Sequence, residues 1–247
     1  MDRKEQRKDV AERHTWEMER LYSDEISKCV VGTKLYDVDF ERGDKIGGKA
    51  VFTLEQSYTQ DSIFKNAGKG KVAVLNFASY RHAGGGFIRG SMAQEESLCH
   101  DSFLYNVLSK FPEYYEWNES HLNKALYRNR ALYSPDVCFF PKKGESVSVD
   151  VITCAAPNRS QISRNALTEE ENEEALRDRI RFIRDICDTE GVETFITGAF
   201  GCGVFAQKPE IVATLFREYF GDTKVKQVIF AVPADRNYPA FEKEFSG

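Results

Sequence analysis

The sequence predicts a three-layer α/β domain built on a largely parallel central sheet. Strands alternate with helices through the second half of the chain, and each of those strands ends in a loop of small residues. At 247 residues, with 41% hydrophobic and 13% aromatic side chains, the chain has enough material for one large core. No apolar run approaches the roughly 20 residues that a membrane-spanning helix needs, so neither a membrane span nor a membrane partner is expected.

The elements follow in order. Residues from about Arg3 to Cys29 read as one weakly amphipathic helix, with Val10, Trp16, Leu21 and Ile26 spaced among charges, expected to pack on a sheet face. Short strand-like pieces follow at Lys34 to Phe40 and Ala50 to Thr53. The β-branched run Val72 to Phe77 is the clearest strand. Leu98, Phe103, Leu104 and Leu108 recur at helical spacing, predicting a helix from Ala93 to Leu108 that Phe111-Pro112 stops. The Tyr/Trp-rich piece Tyr114 to Trp117 begins a polar connection with a short helix around Ser120 to Asn129. Val137 to Phe140 and Val147 to Ala155 read as strands. Thr168 with Glu171 is a capping-box signature, opening a helix whose apolar face is Leu176, Ile180, Ile183 and Cys187 and which ends near Glu190-Gly191. A strand from Glu193 to Thr197, a Gly-rich loop, a helix from Pro209 to Phe220 and a strand from Val225 to Val232 complete the pattern.

Composition excludes several classes of function. The formal net charge of −5 argues against general nucleic-acid binding, which draws its affinity from Lys and Arg on phosphates. Any phosphate must then be held by local geometry. The six cysteines, Cys29, Cys99, Cys138, Cys154, Cys187 and Cys202, contain no Cys-x-x-Cys pair and read as buried thiols. Cys99-His100 lacks the further ligands of a tetrahedral zinc site, so no metal is expected. The N-terminus is charged in both signs with no apolar stretch behind it, unlike a secretory signal, so a cytoplasmic protein is expected.

Three unusual segments fall at strand ends, where parallel α/β sheets bind ligands: Ala83 to Glu96, Ala155 to Arg159, and Gly198 to Phe205. Their convergence predicts a single site. In the first, Gly84-Gly85-Gly86 lets the backbone approach a bulky polar ligand, and Gln94-Glu95-Glu96 follows in the first turn of the next helix. Two carboxylates there are ordinarily partners of the helix dipole. Directly after a triple-glycine loop they become acid-base candidates. As helix neighbours their side chains diverge by about 100°, so they are not expected to meet the same atom, which predicts different tasks. Helix position favours the ionised form and burial the protonated one. In the third segment, the glycines of Gly198 to Phe205 either point successive N–H groups at a diphosphate or make a tight strand-to-helix turn without a ligand. Neither the Walker pattern nor the dinucleotide fingerprint is present.

The Gly-Gly-Gly and Gln-Glu-Glu blocks, the strand end Thr153-Cys154-Ala155-Ala156-Pro157-Asn158 and the loop Gly201-Cys202-Gly203-Val204-Phe205 together resemble the bacterial-type poly(ADP-ribose) glycohydrolases over roughly residues 30 to 235. The resemblance implies a macrodomain-like three-layer α/β/α mixed sheet, residues 30–247, with residues 1–29 as an N-terminal helical accessory segment packed on it. It implies cleavage of the ribose–ribose O-glycosidic bond of ADP-ribose polymer, with no cofactor. Glu96 would protonate the leaving 2′-hydroxyl and then activate water, while Glu95 would bond the distal ribose hydroxyls and Gln94 would support the loop. Gly84, Gly85, Gly86, Gly201, Cys202, Gly203 and Val204 would hold the diphosphate and distal ribose, and Phe205 would pack on that ribose. Phe200, Asn76 and Asn158 are further substrate-binding candidates, and Ser79 a brace for the loop. Asn76, Ser79 and Asn158 read almost as readily as purely structural residues. Arg81, Arg89 and Arg159 lie near the proposed site in sequence, where they would meet polymer phosphates, but read first as solvated surface arginines, and His82 and His100 as structural histidines.

The implied ligands are ADP-ribose and poly(ADP-ribose), with ADP-ribosylated proteins as substrates and a monomeric chain. Two other functions share the same cradle: a non-catalytic ADP-ribose reader, and a hydrolase removing single ADP-ribose units from protein or nucleic acid. Retention of Gln94-Glu95-Glu96 counts against the reader.

Overall fold

The computed structural model describes residues 2–41 and 46–245. Met1, at the head of the expected N-terminal segment, and Ser246 and Gly247, at the end of the expected catalytic unit, lie outside the described residues, as do residues 42–45.

Helices α1 (Arg3–Leu21) and α2 (Ser23–Gly32) precede the sheet. They replace the single expected helix because Tyr22 leaves helical geometry (φ −130°, ψ 29°) and turns its ring onto Phe140, 4.6 Å between centroids. Of the apolar face expected there, Ile26 is buried, but Val10, Trp16 and Leu21 are exposed. The buried face of α1 is Ala11 and Met18 instead. The expected boundary after Cys29 falls inside α2.

The strands are β1 (Lys34–Tyr36), β2 (Val51–Glu55), β3 (Val72–Phe77), β4 (Ala131–Phe139), β5 (Val147–Cys154), β6 (Thr194–Thr197) and β7 (Gln227–Ala231). They form one sheet in the order β1-β4-β5-β3-β6-β7-β2. The β5-β3-β6-β7-β2 portion is parallel and β4 pairs antiparallel with both β5 and β1, giving the expected mixed sheet. β4 is longer than the expected strand. A bulge between Ser134 and Val137, with Asp136 at φ +53°, carries Pro135 past the ladder, so a proline is accommodated inside the strand.

Helix α3 (Thr59–Asn66), which the sequence pattern did not reveal, follows β2. The expected helix from Ala93 to Leu108 is two helices, α4 (Gln94–His100) and α5 (Leu104–Leu108). Ser102 divides them. Its hydroxyl donates to Leu98 O at 2.6 Å and accepts from Leu104 N at 3.0 Å, ending one helix and opening the next. The Tyr/Trp-rich piece forms α6 (Pro112–Ser120) with proline at its start, and the short helix expected after it is only a 3₁₀ turn at Asn123–Ala125. In α7 (Glu169–Glu190) the capping box is present as expected, with Glu171 N donating to Thr168 Oγ1 at 3.1 Å and Thr168 N to Glu171 Oε2 at 2.7 Å. Helices α8 (Pro209–Tyr219) and α9 (Tyr238–Phe245) follow.

Successive side chains of β3 go to opposite faces of the sheet, and both faces are covered, so the strand is apolar throughout. Ala73 and Leu75 pack with Leu176, Ile180, Val212 and Phe216 of α7 and α8. Val72 and Val74 pack with Ile63, Leu98, Leu104 and Val107 of α3, α4 and α5, and with Ala11 and Met18 of α1. Five cysteines are buried thiols and Cys138 is half-buried.

Candidate active site

The carboxyl ends of β3, β5 and β6 lie side by side, and the loops leaving them meet around a cleft of about 340 Å³. Its cause is visible in the sheet: β3 pairs with β6 only as far as Val74–Ile196, whereas its pairing with β5 runs on to Phe77–Cys154. Beyond Val74 the strands part, leaving backbone groups of β3 without a strand partner. Gln94 supplies one. Its Nε2 donates to Leu75 O at 2.9 Å, and its Oε1 accepts from Phe77 N at 2.9 Å, so the amide extends the ladder and ties α4 to the strand end.

The glycine turn crosses the start of α4. Gly84 and Gly85 both have φ +62°, a left-handed conformation that side chains resist. At Gly85 the approach is also too close for any side chain: a Cβ would stand 2.7 Å from Glu96 Oε1 and 2.9 Å from Glu95 Oε2. The two carboxylates therefore converge on one backbone position despite leaving the helix in different directions, because each glutamate has three rotatable bonds with which to turn toward the glycines. Their hydrogen-bond partners are nonetheless distinct. Glu96 Oε1 accepts from Gly86 N at 2.7 Å. Glu95 Oε2 accepts from Ser79 N at 2.7 Å, and its Oε1 accepts from Asn76 Nδ2 at 3.2 Å.

Both glutamates are buried, Glu95 3% exposed and Glu96 7%. Burial pushes the Glu95 carboxyl up from 4.5 to about 8, outweighing the opposing hydrogen bonds from Ser79 and Asn76, with the neighbouring Glu96 adding to the rise. Of the two influences weighed in the sequence, burial dominates at Glu95, and this carboxyl is largely protonated at neutral pH.

The loop after β6 forms the opposite wall. Phe200 N and Cys202 N are bonded within it, to Gly198 O at 2.8 Å and Ala199 O at 3.0 Å. Among the described residues, the N–H groups of Gly201, Gly203, Val204 and Phe205 have no acceptor, which leaves a run of backbone donors around the cleft. Gly201, at φ +75°, comes so close to Ala156 that a Cβ there would lie 2.7 Å from the alanine methyl carbon.

Of the residues singled out in the sequence, Gly85, Gly86, Gln94, Glu95, Glu96, Phe200, Gly201, Gly203, Val204 and Phe205 line this one cleft. Asn76, Gly84, Cys202 and Asn158 do not. Asn76 is fully buried behind Glu95, which it holds. Gly84 faces Tyr105 and Cys99. The Cys202 thiol is buried with its Sγ 3.7 Å from Phe200 O, and burial pushes it up to about 12. Asn158 is taken up by its own loop, its Oδ1 accepting from Ser160 Oγ at 2.6 Å. Arg81 pairs with Glu119, and Arg159 with Glu169 at 2.6 Å. His100 sits edge-on to Phe87, 4.7 Å between centroids, and burial lowers its pKa, as it does that of His82.

Ser79 and Arg89, read in the sequence as a loop brace and a surface arginine, also line the cleft, and the structure adds Phe77, Ala78, Ser91, Ala93, Ala156 and Ala199. Arg89 is the one that sequence reasoning set aside. It is exposed, as the sequence reading had it, and from the cleft wall its Nη2 donates to Gly85 O at 3.0 Å. Its place only a few residues after the glycines was the available signal.

Residues 10–142 match the family described as microbial-type PARG, catalytic domain. No curated protein matches the chain. Among solved structures, the chain is similar to poly(ADP-ribose) glycohydrolase from Thermomonospora curvata, at 28% identity and TM-score 0.84, over 98% of this chain and 100% of that one. The same enzyme bound to the inhibitor ADP-HPD gives 30% identity and TM-score 0.85 over the same shares. Poly(ADP-ribose) glycohydrolase from Deinococcus radiodurans in complex with ADP-ribose gives 28% identity and TM-score 0.79, over 90% of this chain and 96% of that one. With more than half of its length matched by the family and nearly all of it by these folds, the chain belongs to the microbial-type poly(ADP-ribose) glycohydrolase catalytic-domain family.

Proposed function

We propose that this protein hydrolyses the ribose–ribose O-glycosidic bonds of poly(ADP-ribose), releasing ADP-ribose, with residues 30–247 as the catalytic unit and 1–29 as an accessory segment packed on it. The observation that carries the reading is the pair of buried glutamates converging on Gly85 at the floor of the cleft. A binding module needs the cradle of backbone donors but has no use for a buried carboxylate held against a glycine turn beside it.

In the proposed reaction the terminal ADP-ribose lies between the glycine turn and the loop Gly201 to Phe205. Its diphosphate takes the free N–H groups of that loop, and Phe205 packs on the distal ribose. Glu96 gives its proton to the 2′-oxygen of the preceding unit as the bond from that oxygen to the anomeric carbon breaks and the distal ribose develops oxocarbenium character. Water then attacks the anomeric carbon and loses a proton to Glu96, which restores it. One carboxylate makes both proton transfers, unlike the glycosidases that place two carboxyl groups across the bond. Glu95, protonated at neutral pH, has a hydrogen to give to a ribose hydroxyl oxygen and orients the sugar over Glu96.

The test is release of ADP-ribose from defined chains by the wild type and by Glu96→Gln. The amide keeps the shape and the acceptor for Gly86 N and loses the transferable proton. Turnover is expected to fall by about 10²- to 10⁴-fold with ADP-ribose binding retained. Near-normal turnover by the variant sinks the mechanism, and binding without release by the wild type would make the protein a reader.

A further inference from the structure

The chain carries a net charge of −5, yet the rim of the cleft beside the glycine turn is basic. Arg89 lines the cleft and, among the described residues, forms no ion pair with a carboxylate; its bond is to the carbonyl of Gly85, at 3.0 Å. The first turns of α1 are packed against the same loop. Arg7 Nε donates to Gly90 O at 2.7 Å. A Cβ on Gly90 would stand 2.3 Å from Lys4 O and 3.2 Å from Lys4 Cγ, so only glycine lets α1 come this close. Lys4 is exposed and Arg7 half-buried, and neither is paired with a carboxylate among the described residues. The nearby Glu5 is turned to Lys8, 3.7 Å away.

Arg89, the Arg7 guanidinium and the backbone of the exposed Lys4 therefore meet at Gly90, one residue from Ser91 in the cleft lining, and of the three Arg89 lines the cleft itself. They stand on the glycine-turn side, opposite the backbone donors of Gly201 to Phe205. A terminal ADP-ribose whose diphosphate takes those donors leaves this rim for whatever lies beyond the scissile bond. In a polymer that is the next ADP-ribose unit, which brings its own diphosphate. In a singly modified protein it is an amino-acid side chain, which brings none. Arginine guanidinium groups suit phosphate oxygens by charge and by their forked geometry.

We propose that Lys4, Arg7 and Arg89 form a binding rim for the diphosphate of the penultimate unit, so that the N-terminal helix selects polymer over single ADP-ribose groups. This rests on the glycohydrolase reading of the cleft. It gives α1 a task in substrate choice rather than in packing alone.

Binding measurements in the Glu96→Gln background, where chains are not consumed, test the rim without relying on turnover. Dissociation constants for ADP-ribose and for short defined poly(ADP-ribose) chains are compared before and after adding Lys4→Ala or Arg89→Gln. The ratio of chain affinity to ADP-ribose affinity is expected to fall about twofold to fivefold with each change, the scale of an exposed charge pair. The slope of log chain affinity against log salt is expected to flatten by about 0.7 per charge removed. Using the ratio cancels any loosening of the glycine turn that Arg89→Gln causes, and the Lys4 ammonium makes no bond to the loop. An unchanged ratio and slope in both variants overturns the rim, as does a background protein that binds chains no more tightly than ADP-ribose. A wild type that leaves chains uncut while the ratio falls would sink the glycohydrolase reading and leave the rim standing.

Discussion

Glu95 should make this protein progressively less stable as pH rises from 5 to 8, and Glu95→Gln should remove that dependence. The carboxyl is 3% exposed and titrates near 8 in the folded chain against 4.5 in water. Between those values the folded state holds a proton that the unfolded chain has released, so unfolding sheds a proton and alkaline pH favours it. At about 1.4 kcal/mol per pH unit, the penalty accumulated between pH 5 and 8 is about 3 to 4 kcal/mol. For a chain of this size that is a difference in Tm on the order of 10 °C. The glutamine is tolerated for a structural reason. Its carbonyl can accept from Ser79 N as the carboxylate does, and Asn76, whose buried Oδ1 has no partner, can rotate to accept from the new amide. The assay is thermal or urea unfolding of both proteins at pH 5, 6, 7 and 8. The stability gap between them is expected to widen steadily toward alkaline pH, and activity of the wild type is expected to decline above pH 8 as Glu95 loses its proton. Parallel curves would show that Glu95 is ionised in the folded protein and refute the role given to it as a hydrogen donor.

Three further changes probe the walls of the cleft. Gly85→Ala places a methyl group 2.7 Å from Glu96 Oε1 in a left-handed backbone that costs about 1–2 kcal/mol, so turnover should fall on the order of 10²-fold in a chain-release assay. Phe205→Ala should lower both rate and affinity by releasing the distal ribose from its position over the glutamates, on the order of 10²-fold in rate, and unchanged values for both would remove Phe205 from the site. Gln94→Ala strips the partners from Phe77 N and Leu75 O and should cost about 2 kcal/mol of stability in urea unfolding, whether or not a ligand is bound.

What was legible in the sequence is what neighbouring residues decide. The β-branched run makes β3 with the predicted ends, Val72 and Phe77, and Thr168 and Glu171 make the capping box within one turn. What was not legible depends on residues far apart in the chain. The break at Tyr22 needs Phe140, and the turn of α1 toward Ala11 and Met18 needs the Phe87 region beneath it. Arg89 is exposed, as read, and what its sequence neighbours do not announce is that Gly85 O lies 3.0 Å from its guanidinium. Asn158, by contrast, stands at a promising strand end, yet the loop turns it onto Ser160 and away from the cleft.

The Gln94-Glu95-Glu96 triplet serves the architecture of the cleft as well as the chemistry proposed for it. Each of its side chains takes a backbone group of the surrounding loops: Gln94 the end of β3 where it parts from β6, Glu95 the N–H of Ser79, and Glu96 the N–H of Gly86. The first turn of α4 thus assembles the cleft before any substrate arrives, and the carboxylates are aimed because they are already bonded to the loops they serve. Alanine at either glutamate would remove a proton carrier and a structural bond together, and lost activity would then say nothing about which mattered. Glutamine keeps the bond and removes the proton, so only the amide variants separate the chemistry of the triplet from its architecture. If Glu96→Gln keeps wild-type unfolding and ADP-ribose affinity while losing turnover, the proton is the missing part. If it unfolds early and binds poorly, Glu96 serves first as a clamp on the glycine turn.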